Sequence, residues 1–519
     1  MTQVNDIHLT KAGQVNASGV GTGADLRPVS VIVVLEEGGN PDQIAAATGG
    51  TVVHRYQAVF NGLSMLVGED QLEALPKLNN VKAVYLDTIE QLDTDASPSF
   101  IGAPAAWAQL GGQESAGEGV IVGVLDSGIW PEHPSFADPD PSGKAYSPPP
   151  VAPGSNGFAG GAPLNTCNFG NTAYNVYDVP FSCNNKLIGA YDFTQTYSAV
   201  VGLLPTEFDS ARDADGHGTH TSTTSAGNGG VAANIFGTPL GTVSGIAPRA
   251  HVIGYKVCGA EGCFGSDSVA AVDQAILDGV DVINFSISGG NSPYSDAVSL
   301  AFLLAYDAGV LVTPSAGNSG PDSDTVAHRE PWSLTIGAST SDRHFLSTLT
   351  LTADNGDTLD LVGATITAGI STPTPVVIAS DTQCTDAMAP GTFSGEIVIC
   401  ERGVFARVLK SFNAAQAGAG GMILRNPSLQ GLNTDNHFIP SVHLDVVEGD
   451  ALLTFMGSHS GVVGTFTDGA ATLVQGDVMA AFSSRGGSGQ VLGVSKPDVT
   501  APGVQILAGH TPLPATAEG

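Results

Sequence analysis

Apolar residues dominate four runs, Val120–Leu125, Val252–Lys256, Val280–Phe285 and Val310–Thr313. Strands with little polar alternation are buried on both faces, so these runs predict a parallel sheet covered by helices. Helices are predicted between them, over Ser268–Leu277 and Ser295–Ala308, each followed by a glycine, Gly279 and Gly309. Glycine is the favoured residue just past a helix end.

The pattern differs on either side of this α/β stretch. Towards the N-terminus, strands are predicted over Val29–Leu35, Val52–Tyr56, Leu63–Val67 and Val81–Leu86, with a turn at Asn61-Gly62 and helices over Pro41–Thr48 and Asp70–Leu78. The order β-α-β-β-α-β is that of a small split-βαβ module. Residues 1–28 are polar, glycine-rich and aperiodic and read as a flexible leader, and the polar stretch Asp93–Ser99 reads as easily cut. Pro131–Gly161 is rich in proline and glycine and reads as surface loops. After residue 345 short strands (Leu349–Ala353, Pro375–Ala379, Glu396–Cys400, Gly421–Leu424) surround a helix over Val408–Ala417. They predict an inserted α+β module, from which the chain returns over Gln475–Ala508 with a strand at Val478–Phe482 and a loop at Lys496–Gly503.

With 519 residues, several domains are expected. Lys and Arg number 18 against 50 Asp and Glu, a formal charge of −32. Dispersed acids at this density make a solvated surface that repels nucleic acid and anionic membranes. No stretch is long enough to span a membrane, and the first thirty residues contain no secretory signal. The six cysteines allow 15 pairings. The local set 167–183, 258–263 and 384–400 closes the shortest loops and suits an oxidising compartment, with six free thiols as the alternative. No C-x-x-C pair or interleaved histidine points to zinc.

Candidate chemistry lies at the ends of the apolar runs. Asp126 follows Val120–Leu125, and in open α/β sheets the carboxyl ends of strands carry the site. His217 stands between two glycines in Asp215–Thr221, ahead of small residues suited to a tightly packed helix. An imidazole so placed serves as a general base, and a carboxylate orients it. Asn318, in Ser315-Ala316-Gly317-Asn318, offers an amide to a developing oxyanion. Ser286, Ile287, Ser288 and Gly289 end a third strand, where an extended peptide is bound through main-chain hydrogen bonds. Taken singly, each of these segments also reads as an ordinary turn or cap.

Together and in this order they resemble the subtilisin-like serine endopeptidases (subtilases, peptidase family S8). The residues carrying the resemblance are Val124–Ile129, Asp215–Thr221, Ser315–Asn318, Phe482–Gly486 and Lys496–Gly503. The resemblance implies a parallel α/β catalytic domain over residues 94–345 and 475–519, with Asp126 and His217 in an Asp-His-Ser triad. It implies a ferredoxin-like α+β inhibitory propeptide of the I9 type over 29–93, acting as an intramolecular inhibitor, and an inserted, β-rich protease-associated module over 346–474. Protein and peptide substrates, secretion and no obligatory cofactor are also implied. Asn184–Ala190 after Cys183 is similar to the plant-type branch, in which calcium is often dispensable, so structural calcium is permitted but not specified.

One element departs from the family pattern. Gly-Thr-Ser-Met-x-x-Pro, which carries the nucleophile, is absent, and the sequence ends at Gly519, shortly after Ala501-Pro502-Gly503. Ser127, Ser483 and Ser484 belong to other family segments and are rejected as nucleophiles. The expectation is a chain truncated before its serine, inactive and poorly stable alone. The alternative is a catalytically dead, subtilase-like binding protein. An unrelated α/β hydrolase is disfavoured because no G-x-S-x-G occurs.

Overall fold

The computed structural model describes residues 28–36, 38–56, 62–68, 71, 74–86, 97–149, 167–235, 238–385, 388–403, 406–490 and 493–512, and every structural statement below concerns these. The expected leader up to residue 27, Asn61, most of Asp93–Ser99 and the end of Pro131–Gly161 lie outside them. Two compact units divide between Gln91 and Leu92.

The first unit is a four-stranded antiparallel sheet in the order β2-β3-β1-β4. Its strands are β1 (Pro28–Leu35), β2 (Thr51–Tyr56), β3 (Gly62–Gly68) and β4 (Val81–Leu86). Period-two alternation puts Val33 and Leu35 of β1 and Leu63, Met65 and Val67 of β3 into one core with Ile44 and Leu75. Ile44 comes from helix α1 (Pro41–Thr48), which has Asn40 as N-cap, Pro41 in its first turn and Gly49 left-handed at its end. The helix expected over Asp70–Leu78 is corrected: its described residues form no α-helix, and Leu75–Lys77 is a 3₁₀ turn. Pro76 lacks the N–H that a helix interior needs, and Leu75 is buried by that one turn.

The second unit opens with short helices α2 (Ser97–Phe100) and α3 (Ala103–Gln109) and then builds a five-stranded parallel sheet. Its members are β5 (Ile121–Asp126), β6 (Leu187–Asp192), β9 (His251–Lys256), β12 (Val282–Phe285) and β13 (Leu311–Pro314). Between them lie α4 (Gln195–Val200), α5 (His217–Ala226), the hairpin β7 (Val231–Ile235) and β8 (Thr238–Val243), and the small pair β10 (Cys258–Gly259) and β11 (Gly262–Cys263). Helices α6 (Gly265–Asp278) and α7 (Ala297–Asp307) complete the layer that buries Ala271, Val272, Ala275 and Phe302 against Ile283, Phe285 and Val312. The strand order is β13-β12-β5-β9-β6. From β5 the chain first makes the edge strand β6 and inserts β9 beside β5, then adds β12 and β13 on the other side, so the carboxyl end of β5 is the topological switch point.

After β14 (Ile336–Ser339) the chain enters a separate mixed sheet. Its strands are β15 (Arg343–Thr352), β16 (Thr358–Ala364), β17 (Ile370–Ile378), β18 (Ile397–Glu401), β19 (Gly421–Arg425), β20 (Ser441–Leu444), β21 (Val463–Phe466) and β22 (Ala470–Leu473). Because β16 pairs with both β15 and β20, the sheet closes on itself. Helices α8 (Arg407–Gln416) and α9 (Val446–Ser458) accompany it. Entry and exit are zipped together, β15 pairing with β22 from Arg343 opposite Leu473 to Leu346 opposite Ala470, so the insertion leaves and rejoins the α/β body at one place.

The returning segment Val478–Phe482 is not a strand, which corrects the expectation. It makes one isolated bridge, Met479 with Ser339, and then turns so that Ser483 N–H meets the Ala480 carbonyl. Its backbone touches β14 only locally, the Ala480 amide donating to the Ala338 carbonyl, and of its side chains only Ala480 is buried. The parallel partner of β14 is β23 (Val499–Pro502), within the loop expected over Lys496–Gly503. Disulfides join Cys167 to Cys183, Cys258 to Cys263 and Cys384 to Cys400, the local set.

Candidate active site

Asp126 is the last residue of β5 and is almost fully buried. Its Oδ1 accepts from the Ser127 amide at 2.7 Å and meets His217 Nδ1 at 2.7 Å; Oδ2 accepts from Thr221 Oγ1 at 3.2 Å. With Nδ1–H given to the carboxylate, Nε2 of His217 is left for chemistry on the exposed side of the ring, whose side chain is 52% exposed. The negative charge of Asp126 raises the His217 pKa to about 9; burial opposes it, and Asp215 and Asp213 add to it.

His217 starts α5 because the preceding loop is clamped. Ser127 Oγ donates to Asp213 Oδ1 at 2.9 Å and accepts from the Gly218 amide at 2.8 Å. The Asp213 carboxylate also collects the amides of Asp215, Gly216 and Thr219. Asp215 Oδ1 accepts from the His217 amide, and burial raises the Asp215 pKa. Gly216 sits at φ +113°, and a Cβ there would overlap the His510 ring. The first turn of α5 thus exposes its free N–H groups to carboxylates, the arrangement that its unpaired donors and dipole favour.

Two buried cations hold the approach to this loop. Arg212, fully buried, makes a bidentate pair with Glu132, bonds Asp178 Oδ1 at 3.0 Å and lies over the Trp130 ring. Lys256, at the end of β9, donates to the carbonyls of Phe208 and Arg212 at 2.8 and 3.1 Å. Neither stood out in the sequence. The charged run around Asp213 was the available signal, since carboxylates two residues apart ahead of a glycine suit a turn that gathers amides.

Ser286–Gly289 continue β12 past its last paired residue, and Asn318 follows β13. Because β12 pairs with β5 on one side and β13 on the other, all three segments leave the same edge of the sheet. Gly317, at φ +94°, lies between Ser288 and Ser484: a Cβ would stand 3.3 Å from Ser288 Oγ and 3.0 Å from Ser484 Oγ. Behind the strand end, His328 Nε2 lies 3.0 Å from the Ile287 carbonyl, and its ring fills the place where a Gly289 Cβ would be. Asn318 is exposed. Its loop is pinned by Ser484, whose Oγ accepts from Ser319 N–H at 3.0 Å and whose amide donates to the Gly317 carbonyl.

The other candidate serines are buried. Ser483 Oγ accepts from the Ala338 amide, Ser484 holds the Asn318 loop, and Ser127 belongs to the Asp213 clamp. Among the described residues no group of three or more His, Cys, Asp or Glu is arranged to hold a metal ion, and no helix is long and apolar enough to cross a membrane.

The structure thus brings together a carboxylate-oriented imidazole at the switch point of a parallel sheet and, on the same edge, an asparagine in a pinned loop. The model of the Subtilase family, Peptidase_S8, matches residues 117–517. The chain is 38% identical over 483 residues to the Arabidopsis thaliana subtilisin-like protease SBT1.6, covering 89% of this chain and 60% of that protein. It is 37% identical over 503 residues to SBT1.3 of the same plant, covering 92% of this chain and 60% of that protein. The chain therefore belongs to the subtilase family of serine proteases, and it spans about 60% of the length of these relatives.

Proposed function

We propose that this chain carries the acid–base half and the oxyanion and substrate-binding elements of a secreted serine endopeptidase. The observation that carries the reading is the 2.7 Å contact between Asp126 Oδ1 and His217 Nδ1 at the carboxyl end of β5. In this reading a serine hydroxyl attacks the scissile carbonyl and His217 Nε2 takes its proton. Asp126 stabilises the resulting imidazolium, and the Asn318 amide donates to the tetrahedral oxyanion. His217 then returns the proton to the leaving amine, and water repeats the cycle on the acyl-enzyme. The substrate lies extended along Ser286–Gly289. The serine is that of a Gly-Thr-Ser-Met-x-x-Pro segment, which the present sequence does not contain.

The sheet of residues 28–86 is read as an I9-like inhibitory propeptide, supported by its antiparallel order β2-β3-β1-β4. The closed sheet entered at β15 is read as a protease-associated module. No obligatory metal belongs to this reading, and the three disulfides support an extracellular setting.

The test is hydrolysis of a chromogenic peptide by protein produced from the native gene, with His217→Ala beside it. Loss of turnover by at least a thousandfold in a variant that still unfolds cooperatively from a folded state is the expected result. Undiminished turnover in the variant refutes the assignment.

A further inference from the structure

The largest unexplained feature lies away from Asp126 and shares no residue with the candidate site. A cavity of about 250 Å³ opens where the inserted sheet joins the α/β body. That is just below the range of about 300–1,000 Å³ usual for ligand pockets, so the end of a short peptide fits and a long extended chain does not. Its walls are Thr340 and Ser341 before β15, Arg343 and His344 at its start, the loop 429–433, Val474 and residues 478–482 of the returning segment, and Val504 and Gln505.

Three observations converge there. The first concerns Gln505, a non-glycine residue at φ +58°. A side chain held in that region is strained, and such outliers gather at ligand clamps. The second concerns polar groups of the lining residues, set just beneath the wall surface. Both amide atoms of Gln505, Oε1 of Gln430 and Nε2 of His344 are buried without a hydrogen-bond partner. Leaving such groups unpaired is costly, and native structures rarely collect several around one space. The third is charge. In a chain of net charge −32, the ionisable side chains of this lining are Arg343 and His344, both basic, and the lining holds no carboxylate. Burial lowers Arg343 to about 10, which leaves it cationic at neutral pH; burial also lowers His344, and the charge of Arg343 adds to that. Apart from Thr340, Ser341 and Asn433, the remaining walls, among them Leu432, Val474, Phe482 and Val504, are apolar.

We propose that this cavity binds the C-terminal end of a short peptide. The free carboxylate lies towards Arg343 and His344, the last peptide amide exchanges hydrogen bonds with Gln505 and Gln430, and an aliphatic side chain lies against Phe482 and Val504. Arg343 Nη2 holds the Gln505 carbonyl at 3.2 Å, which fixes the backbone about which the Gln505 side chain rotates its amide out to the ligand.

The test uses the full 519-residue chain and two probes in calorimetric titration, N-acetyl-Ala-Leu with a free carboxylate and the same dipeptide as its amide. The acid is expected to bind at least tenfold more tightly than the amide. Gln505→Gly, which accepts the left-handed backbone and removes the amide, is expected to weaken the acid at least tenfold without lowering the unfolding midpoint. Ala481→Phe, which fills the cavity, is expected to abolish binding, while His217→Ala leaves it unchanged. No binding of either probe, equal affinity for acid and amide, or binding that survives both cavity variants overturns the proposal. Loss of binding in His217→Ala alone places the probe at the catalytic edge and also overturns it.

Discussion

Asp126 Oδ1 and His217 Nδ1 lie 2.7 Å apart, although 91 residues separate them in the chain. The contact joins the end of a buried strand to the first residue of a helix, two points that the sheet and the Ser127–Asp213 clamp fix independently. Geometry of this kind is set by the fold, so changes to the carboxylate should alter the imidazole electrostatically while leaving its position intact.

Asp126→Asn gives the first expectation. The charge of Asp126 does most to raise His217 to about 9, and burial acts the other way. Without that charge, burial is opposed only by the weaker pull of Asp215 and Asp213, so the His217 pKa falls well below 9. A nitrogen-detected NMR titration reads it directly; a value still near 9 in the variant would show that Asp126 is not the cause.

The same shift fixes a pH dependence of stability. The folded pKa of His217 is raised above the ordinary value of 6.5, so the folded state holds its proton more tightly than the unfolded chain. The stabilisation is complete below about 6.5 and is lost as pH rises through about 9. Urea unfolding of the native chain and His217→Ala should therefore give a stability difference that is constant at about pH 5–6 and shrinks steadily between pH 6.5 and about 9. The half-exposed ring keeps the effect modest. A difference that grows over that interval contradicts the assignment.

Arg212 tests the support of the loop. It is fully buried, it forms a forked pair with Glu132, and its Nε reaches the buried Asp178. Arg212→Ala leaves Asp178 buried without its cation, a change that costs about 3–5 kcal/mol. Arg212→Lys should recover little, because a single ammonium cannot reproduce the fork and the stacking on Trp130. Denaturant midpoints at neutral pH measure both; a loss under about 1 kcal/mol in the alanine variant would mean that the pair is not structural.

The strands of the parallel sheet were legible from their apolar runs, and observed ends fall close to the predicted ones at β5, β9 and β13. Of the four runs, however, burial on both faces holds for β5 and β9 only, since β12 and β13, nearer the sheet edge, bury alternate residues and leave Leu311 exposed. Asp126 and His217 were legible for a related reason: each follows a pattern break, where a strand ends or a glycine admits a helix. The clamp around them was not. Ser127 looks like a turn residue beside the candidate aspartate, and only the fold brings it 2.9 Å from Asp213, 86 residues on. Arg212 and Lys256 were hidden for the opposite reason, since single cations in sequence give no sign of being buried. Val478–Phe482 defeats the pattern because an apolar run need not join a ladder: only Ala480 of it is buried, Val478 is exposed, and the run lines a cavity and turns.

Gly218→Ala sets two effects of opposite sign against each other at the centre of the site. Gly218 lies in the first turn of α5, where replacing glycine by alanine favours the helix by up to about 1 kcal/mol. A Cβ there, however, would overlap the Gly128 carbonyl oxygen and stand 3.1 Å from Ser127 Oγ. The obstructing atom is backbone, part of the turn that follows Asp126, and it has no rotamer by which to retreat. Overpacking of this kind costs about 1–3 kcal/mol, or more where nothing yields, so the clash outweighs the propensity gain. The relief available is a shift of the α5 start away from β5. Such a shift breaks the bond from the Gly218 amide to Ser127 Oγ and lengthens the contact between His217 and Asp126. Gly218→Ala should therefore lower the unfolding midpoint and lower the His217 pKa from about 9 in the same protein. Calorimetry and the NMR titration check the two together. A variant that gains stability and keeps its titration would show that the turn at Gly128 yields and that the close approach is not what holds His217 against Asp126.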